Sequence, residues 1–415
     1  MSTQFEVRKQ WIVPQSPPPL WKHQHVLPRL PVPNLEQTLV RYLQSVRPFL
    51  TDQQFANTSK AVAEFAVGGQ GEELQRRLKK RAKGKNDTSW LVEWWNQIAY
   101  LTDRGPVVFY VSYFFGFKPL PLSLLQQPST TGETGNPQCN AASAIVEQAL
   151  NFKQMLQDGS LSPDVVGKSP QCMAVYPLLF NACRIPTKDS DVVATYSPAH
   201  SHFLAARRGH FFAVQTTDGA GRRLSRHVIA QQLLRVVAEA DRLGDSAAPV
   251  GALTSWGRDE WADARGRLLS KSKNAHAMDA VESACFVICL DHAGGPDVQS
   301  RARQYWHGDG RNRFFDKALQ WIVLPDGAAG FLGEHAMADG GPALRINQYI
   351  IAAIFSGPPA APAGHVSSSG PAFPPRLLSF EVDHELASAI KAAAAAFDQA
   401  AAGHELERVE AVGLG

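Results

Sequence analysis

The sequence predicts an α/β fold, because segments typical of strands alternate with segments typical of helices along the 415-residue chain. Two short runs rich in β-branched and aromatic residues, 286–290 and 319–324, are typical of buried strands. Two longer runs with apolar residues at helical spacing, 139–156 and 224–243, are typical of helices that pack on such strands. A chain of this length can bury a large core and favours two domains or lobes.

The N-terminal part of the chain predicts an extended segment followed by helices. Residues 14–34 are rich in proline and have no periodicity, so we expect them to run extended. Helical patterns follow, with Thr51 and Ser89 as N-caps of two of them. The predicted helices are 35–46, 55–65, 73–81 and 89–100.

The rest of the chain adds strands, loops and a linker to this pattern. Residues 106–112 predict a strand, and residues 207–215 predict a strand or a hairpin around Gly209. Residues 119–137 have the composition of a loop. Proline, alanine and serine dominate 357–375, which we expect to be a linker. A short strand over 376–382 and a helix capped by Asp383 follow, with Leu386, Ile390, Phe397 and Leu406 on the apolar face of that helix.

Composition argues against several classes of protein. The net charge is +3, from 41 basic and 38 acidic residues, so no nucleic-acid partner is expected. The five cysteines form no CxxC pair, so neither a disulfide framework nor a metal site is predicted, and a reducing, intracellular setting is favoured. No apolar stretch is long enough to span a bilayer, and residues 1–10 do not resemble a secretory signal.

One local cluster of charge stands out against this balanced composition. Six basic residues fall within 76–83, namely Arg76, Arg77, Lys79, Lys80, Arg81 and Lys83. Such a cluster favours a solvated helix face that runs into a loop. An anion-binding site is the alternative.

The segment most indicative of chemistry covers residues 311–340. A predicted strand leads through an Asp326-Gly327 turn to a second apolar stretch that ends at Glu334-His335. A histidine at a strand end can remove a proton from a hydroxyl or a thiol near neutral pH. Asp339 can brace the local backbone or an opposing arginine, and Gly340 permits a tight turn. On this motif alone, a structural histidine is an equally good interpretation.

Five segments, in order and spacing, resemble the choline/carnitine acyltransferase family. The catalytic signature of that family resembles Arg313 to Gln320, the Asp326-Gly327 turn and Glu334-His335-x-x-x-Asp339-Gly340. The other similar segments are 27–42, 93–108, 176–186 and 253–262. Together they cover nearly the whole chain up to residue 350.

The resemblance implies a fold, a general base and aromatic residues that line the carnitine side of the site. Family members have two α/β lobes, each similar to chloramphenicol acetyltransferase, with a substrate tunnel between them. His335 would act directly as the general base, with Asp339, Glu334 and Gly340 in support and no acyl-enzyme intermediate. Trp95 and Tyr100 match positions on the carnitine side, where aromatic rings suit a quaternary ammonium; ordinary core aromatics are the alternative interpretation.

The resemblance also implies an organisation into domains. Residues 1–88 would belong to the second lobe, 89–356 would form the lobe with the histidine, 357–375 would link them, and 376–415 would begin the rest of the second lobe. The family's later segments, which bind the CoA phosphates, the oxyanion and the carnitine carboxylate, have no match here. We therefore expect the first lobe to be nearly complete, the second to be truncated, and activity to be weakened, because oxyanion donors and substrate positioning contribute much of the rate.

Two classes of function follow. The first is a reversible acyl-CoA-dependent O-acyltransferase, most consistent with acetyl transfer to carnitine; CoA would be a co-substrate, with no bound cofactor, and choline or another hydroxyl acceptor is the enzymatic variant. The second is a truncated, catalytically impaired family member or fragment. A different histidine acyltransferase family is a third, more distant interpretation. We expect a monomer in the cytoplasm, or in mitochondria or peroxisomes by family resemblance.

Overall fold

The computed structural model of the protein describes residues 6–7, 19–84, 89–127, 135–356, 367 and 373–409. Two compact units divide these residues. The smaller unit contains the described residues of Lys22–Asn96 and Asp164–Cys172. The larger unit contains those of Met1–Trp21, Gln97–Pro163 and Met173–Gly415.

Strands and helices alternate in the larger unit, which confirms the mixed α/β class. In chain order the strands are β1 (Glu6–Val7), β2 (Tyr113–Gly116), β3 (Val165–Val166), β4 (Ser169–Pro170), β5 (Ala182–Ile185), β6 (Val192–Thr195), β7 (His202–Arg207), β8 (His210–Gln215), β9 (Val287–Leu290), β10 (Leu319–Val323), β11 (Ala329–Gly333) and β12 (Arg376–Leu377). The predicted strands at 286–290 and 319–324 and the predicted hairpin around Gly209 are confirmed.

The helices predicted at 35–46, 55–65, 73–81, 139–156 and 224–243 and after Asp383 are confirmed, whereas α5, α6, α9, α10, α11 and α12 were not predicted. They are α1 (Leu35–Val46), α2 (Asp52–Ala66), α3 (Gln70–Ala82), α4 (Val92–Asn96), α5 (Val107–Tyr110), α6 (Leu122–Leu125), α7 (Pro137–Gln157), α8 (Arg226–Leu243), α9 (Arg258–Leu269), α10 (Ser272–Ser283), α11 (Val298–Trp306), α12 (Gly340–Ser356) and α13 (His384–Ala402). A π-helical turn covers Gln97–Leu101. Thr51 caps α2 as predicted, because its side chain accepts a hydrogen bond from the backbone of Gln54.

A mixed seven-stranded sheet organises the larger unit, in the order β12-β8-β7-β9-β10-β11-β2. Strand β9 pairs in parallel with both β7 and β10, and the remaining neighbours are antiparallel. Side chains alternate between the two faces, so Phe203 and Ala205 join one buried core while Leu204 and Ala206 join another. Helices α7, α8 and α12 contribute to the first core, and α9, α10 and α13 to the second.

The predicted strand at 106–112 is wrong. The chain there forms the short helix α5, and strand β2 begins only at Tyr113. Val107 and Val108 have no exposed surface, so their β-branched side chains are used for core packing rather than for strand pairing. Tertiary burial has overridden local strand propensity at these two residues.

Three other predictions need adjustment. The extended segment 14–34 contains 3-10 helices at Pro19–Trp21 and Gln24–Val26, and residues 14–18 lie outside the described part. The predicted loop 119–137 contains α6 and the start of α7, while 128–134 also lie outside it. Most of the predicted linker is likewise outside it, and the strand predicted over 376–382 is only two residues long.

Helix α13 packs within the larger unit. The carboxylate of Asp383 accepts a hydrogen bond from the backbone of Leu386, which confirms the predicted N-cap. Leu386, Ile390 and Phe397 are buried in the second core. Leu406 lies beyond the end of the helix.

Candidate active site

A strand–turn–helix corner presents His335 at one side of the main sheet. Strand β11 ends at Gly333, and helix α12 begins at Gly340. Between them the carbonyl of Glu334 accepts a hydrogen bond from the backbone of Ala338, 2.9 Å away, which closes a tight turn. The predicted arrangement of strand, histidine and turn is therefore present.

Two tyrosines fix the plane of the His335 imidazole. The ring of Tyr100 stacks on it with centroids 4.9 Å apart and an interplanar angle of 20°. The ring of Tyr113, on the edge strand β2, meets it edge-on at 5.0 Å. The Tyr113 hydroxyl donates a hydrogen bond to the carbonyl of Ala338, and burial raises the pKa of this tyrosine, so the group stays a donor.

A glycine at the end of β11 makes room for the second of these rings. Gly333 pairs with Tyr113 across the two strands. A Cβ at position 333 would lie 2.8 Å from Cζ of Tyr113, which is closer than carbon atoms can pack. Only glycine lets the tyrosine ring reach the imidazole along this path.

The two imidazole nitrogens have different surroundings. Nδ1 is buried and makes no hydrogen bond to the described residues; the nearest carboxylate oxygen, Oδ1 of Asp339, is 3.8 Å away. The side chain of His335 keeps 31% of its surface exposed, so the ring is open to solvent on one side. Asp339 also accepts a hydrogen bond from the backbone of Gly340 at 2.9 Å and thereby braces the start of α12.

Glu334 points into the protein rather than toward solvent. Its Oε1 accepts a hydrogen bond from Nη1 of Arg184 at 2.9 Å, and its Oε2 accepts one from the backbone of Ala336 at 3.0 Å. Burial raises the pKa of this carboxyl group, and Arg184 opposes that effect. Because both oxygens accept hydrogen bonds, the geometry suits the ionised form.

Arg184 connects this carboxylate to a buried network of balanced charge. Its Nε binds Asp191 at 2.6 Å, and Nε of Arg258 binds the same oxygen at 2.6 Å. Apart from the exposed Asp259, which also binds Arg104, the network contains three guanidinium groups and three carboxylates, namely Arg104, Arg184, Arg258, Asp191, Asp316 and Glu334. Nη2 of Arg184 also donates to the carbonyl of Tyr100 at 2.6 Å. One guanidinium group thus holds both the residue before His335 and the residue stacked on it.

The sequence alone does not predict this network. Arg184 and Arg258 lie in the segments 176–186 and 253–262, whose predicted feature is their family resemblance. Charged residues inside otherwise apolar stretches were the available signal, because such residues are rarely buried without partners.

The structure brings most of the predicted site residues together. Tyr100, Glu334, His335, Asp339 and Gly340 all belong to the larger unit and surround the turn after β11. Trp95 lies in α4 of the smaller unit, with 54% of its surface exposed.

Metal ligation and membrane spanning are two further properties of the described residues. Within the described ranges, no group of three or more histidine, cysteine, aspartate or glutamate residues is arranged to hold a metal ion. In the same part of the chain, no helix has the length and apolar character needed to cross a membrane.

Comparison with known proteins places this site in context. The choline/carnitine O-acyltransferase family model matches residues 30–415. The mitochondrial carnitine O-acetyltransferase of Saccharomyces cerevisiae is 34% identical over 79% of this chain and 48% of its own length. The Homo sapiens carnitine O-acetyltransferase is 35% identical over 79% of this chain and 53% of its own length. The Homo sapiens choline O-acetyltransferase is 32% identical over 78% of this chain and 44% of its own length. The chain spans about half the length of these curated relatives.

Proposed function

This chain belongs to the choline/carnitine O-acyltransferase family, and we propose that it transfers an acetyl group reversibly between coenzyme A and the hydroxyl group of carnitine. The observation that carries the proposal is the placement of His335, half-exposed at a strand end and held between the rings of Tyr100 and Tyr113. The relatives named carnitine O-acetyltransferase support the acyl group and the acceptor.

In the proposed reaction, His335 acts as the general base. Its imidazole takes the proton of the acceptor hydroxyl while the hydroxyl oxygen attacks the thioester carbonyl carbon. The bond between that carbon and sulfur then breaks, and the imidazolium returns the proton to the sulfur of CoA. The products are the acyl ester and free CoA, and the histidine is unchanged. No acyl-enzyme forms, and the reverse reaction uses the same groups.

The neighbouring residues have positioning roles in this proposal. The Asp339 carboxylate, 3.8 Å from Nδ1, stabilises the imidazolium, and its bond to the Gly340 backbone keeps the turn closed. The solvent exposure of Asp339 screens this attraction, so its contribution is modest. Glu334, anchored by Arg184, fixes the backbone that carries the histidine.

Two aromatic residues are proposed to bind the ammonium group of carnitine. Carnitine has a quaternary ammonium, which aromatic faces attract through their quadrupoles. We assign this role to Trp95 and Tyr100. Coenzyme A enters as the acyl-carrying co-substrate, and no resident cofactor takes part.

The finer architecture also belongs to the proposal. It consists of two lobes resembling chloramphenicol acetyltransferase, with 89–356 as the histidine lobe and 1–88 and 376–415 as parts of the second. We propose a monomer that works inside the cell, in the cytoplasm, the mitochondrion or the peroxisome. The name of the yeast relative supports the mitochondrial option.

Choline is the second candidate acceptor. The similarity to a choline O-acetyltransferase favours it, and choline offers the same quaternary ammonium and hydroxyl groups without a carboxylate. The proton transfer at His335 would be identical with either acceptor.

Thiol release from acetyl-CoA by this chain tests the proposal directly. We expect release that requires an acceptor, is faster with carnitine than with choline at equal concentration, and is matched by formation of acetylcarnitine in the mass spectrum. Faster release with choline would replace carnitine with the second candidate. No acceptor-dependent release with either compound would contradict the proposed activity.

A further inference from the structure

The basic residues of α3, which the proposed acyl transfer does not use, line a groove in the smaller unit. Arg76, Lys79, Lys80 and Lys83 border a space of about 660 Å³, together with Leu35 at the start of α1. The Gln75 side chain donates a hydrogen bond to the carbonyl of Pro33 at 2.8 Å and holds α3 against the segment before α1. The groove is therefore built by two separate parts of the chain.

Arg76, Lys79, Lys80 and the C-cap residue Lys83 lie on one face of α3, because the last three follow Arg76 by three, four and seven residues. Like charges at this spacing destabilise a helix. The helix dipole favours basic residues in the last turn, but that effect falls off within one turn and does not account for Arg76 in the middle of the helix. Arg76 is instead stabilised by its ion pair with Glu73, three residues earlier, and this pair offsets only part of the repulsion among the aligned cations.

The arginines of α3 have partners among the described residues, whereas its lysines have none there. Arg76 and Arg77 both bind Glu73 at 2.7 Å, and the two guanidinium groups lower the pKa of that carboxyl to about 2. Arg81 binds Glu93 at 2.8 Å.

In contrast, Lys79, Lys80 and Lys83 are exposed and make no ion pair or hydrogen bond to any described residue. Glu72 also lines the groove and contributes one opposing charge. The groove remains positive because three ammonium groups face it without a partner.

We propose that this groove binds an anion that carries several phosphate groups. Lysine ammonium groups on flexible stems bind phosphates as point charges and adapt to different spacings between them. The volume falls within the range of ordinary small-molecule pockets. The site belongs to the smaller unit, whereas His335 belongs to the larger one, so the proposal does not rest on acyl transfer.

Calorimetric titration of the chain with inorganic tripolyphosphate tests the site. We expect saturable binding that weakens as salt is added, because salt screens exposed charges. The combined variant Lys79→Gln, Lys80→Gln, Lys83→Gln removes the three unpaired cations and should weaken binding about tenfold. Glutamine has nearly the helix propensity of lysine, so circular dichroism should show α3 intact.

A matched control separates the site from general charge. The variant Lys60→Gln, Lys273→Gln, Lys391→Gln loses the same charge from α2, α10 and α13, at residues that do not line the groove. Its affinity for tripolyphosphate should equal that of the unmodified chain. Equal weakening in both triple variants would overturn the proposal, as would the absence of binding to both tripolyphosphate and the vesicles described next.

Vesicle binding distinguishes the sources of such an anion. Phosphatidylcholine vesicles with and without a phosphatidylinositol bisphosphate serve as the second probe. Binding that requires the phosphoinositide and the three lysines would identify a lipid headgroup as the ligand. Binding of tripolyphosphate alone would identify a soluble polyphosphate compound.

Discussion

Replacement of Arg184 by methionine removes the centre of the buried charge network. The substitution keeps a long apolar side chain but deletes the hydrogen bonds to Glu334, Asp191 and the carbonyl of Tyr100. Asp191 keeps Arg258 and Arg104 as partners, whereas Glu334 keeps only the backbone N–H of Ala336. The main consequence is therefore one buried carboxylate that has lost its directly bonded counter-charge and keeps only the weaker attraction of Arg258.

The expected loss of stability in Arg184→Met follows from that unpaired charge. Removal of one partner from a buried ion pair costs about 3–5 kcal/mol of unfolding free energy. Urea unfolding followed by tryptophan fluorescence at neutral pH should show this loss as a lower transition midpoint. Arg242→Met, which breaks an exposed pair with Glu239, serves as the control and should leave the midpoint almost unchanged.

The pH dependence of the destabilisation and a second substitution test whether the ionised Glu334 carboxylate causes it. Burial raises the pKa of Glu334, and loss of Arg184 should raise it further. The destabilisation should therefore be complete above the folded-state pKa and disappear below the unfolded-state pKa, where the carboxyl group is protonated in both states. Addition of Glu334→Gln to Arg184→Met should restore part of the stability at neutral pH. A loss below about 1 kcal/mol in Arg184→Met, or no recovery in the double variant, would refute the reasoning.

Two further predictions concern packing and acid stability. Gly333→Ala places a methyl group against the Tyr113 ring. Thermal unfolding should therefore show that the free energy of unfolding falls by about 1–3 kcal/mol. An unchanged melting temperature would contradict the close approach of the two residues. Burial lowers the pKa of His202 to about 4, so the folded state resists protonation and should lose stability as pH falls from about 6.5 toward 4. His202→Gln should flatten this part of the stability profile, and an equal slope in both proteins would exclude His202 as its source.

The parts of the fold that the sequence predicted share a local cause. Helices α1, α2 and α8 have clear apolar periodicity, and caps such as Thr51 are set by neighbouring residues. The turn after β11 could be predicted because its residues are consecutive in the sequence and form a local motif. Such features need no knowledge of distant parts of the chain.

The missed features depend on contacts between distant residues. Arg184 meets Glu334 across 150 positions, and no local pattern reveals that pairing. Tyr113 was not noted as a site residue, because its relation to His335 arises only when β2 pairs with β11. The failed strand at 106–112 has the same origin, since burial in the second core decides the conformation of Val107 and Val108.

The kinetic effect of His335→Gln tests the role of the histidine most directly. Steady-state thiol release from acetyl-CoA with carnitine should fall in kcat by about 100- to 10,000-fold, the contribution of a general base, while unfolding remains unchanged. His276→Gln, which alters a histidine on α10 that is hydrogen-bonded to the carbonyl of Ser272, should keep the full rate. A His335→Gln variant that retains the rate of the unmodified chain would show that another group removes the proton.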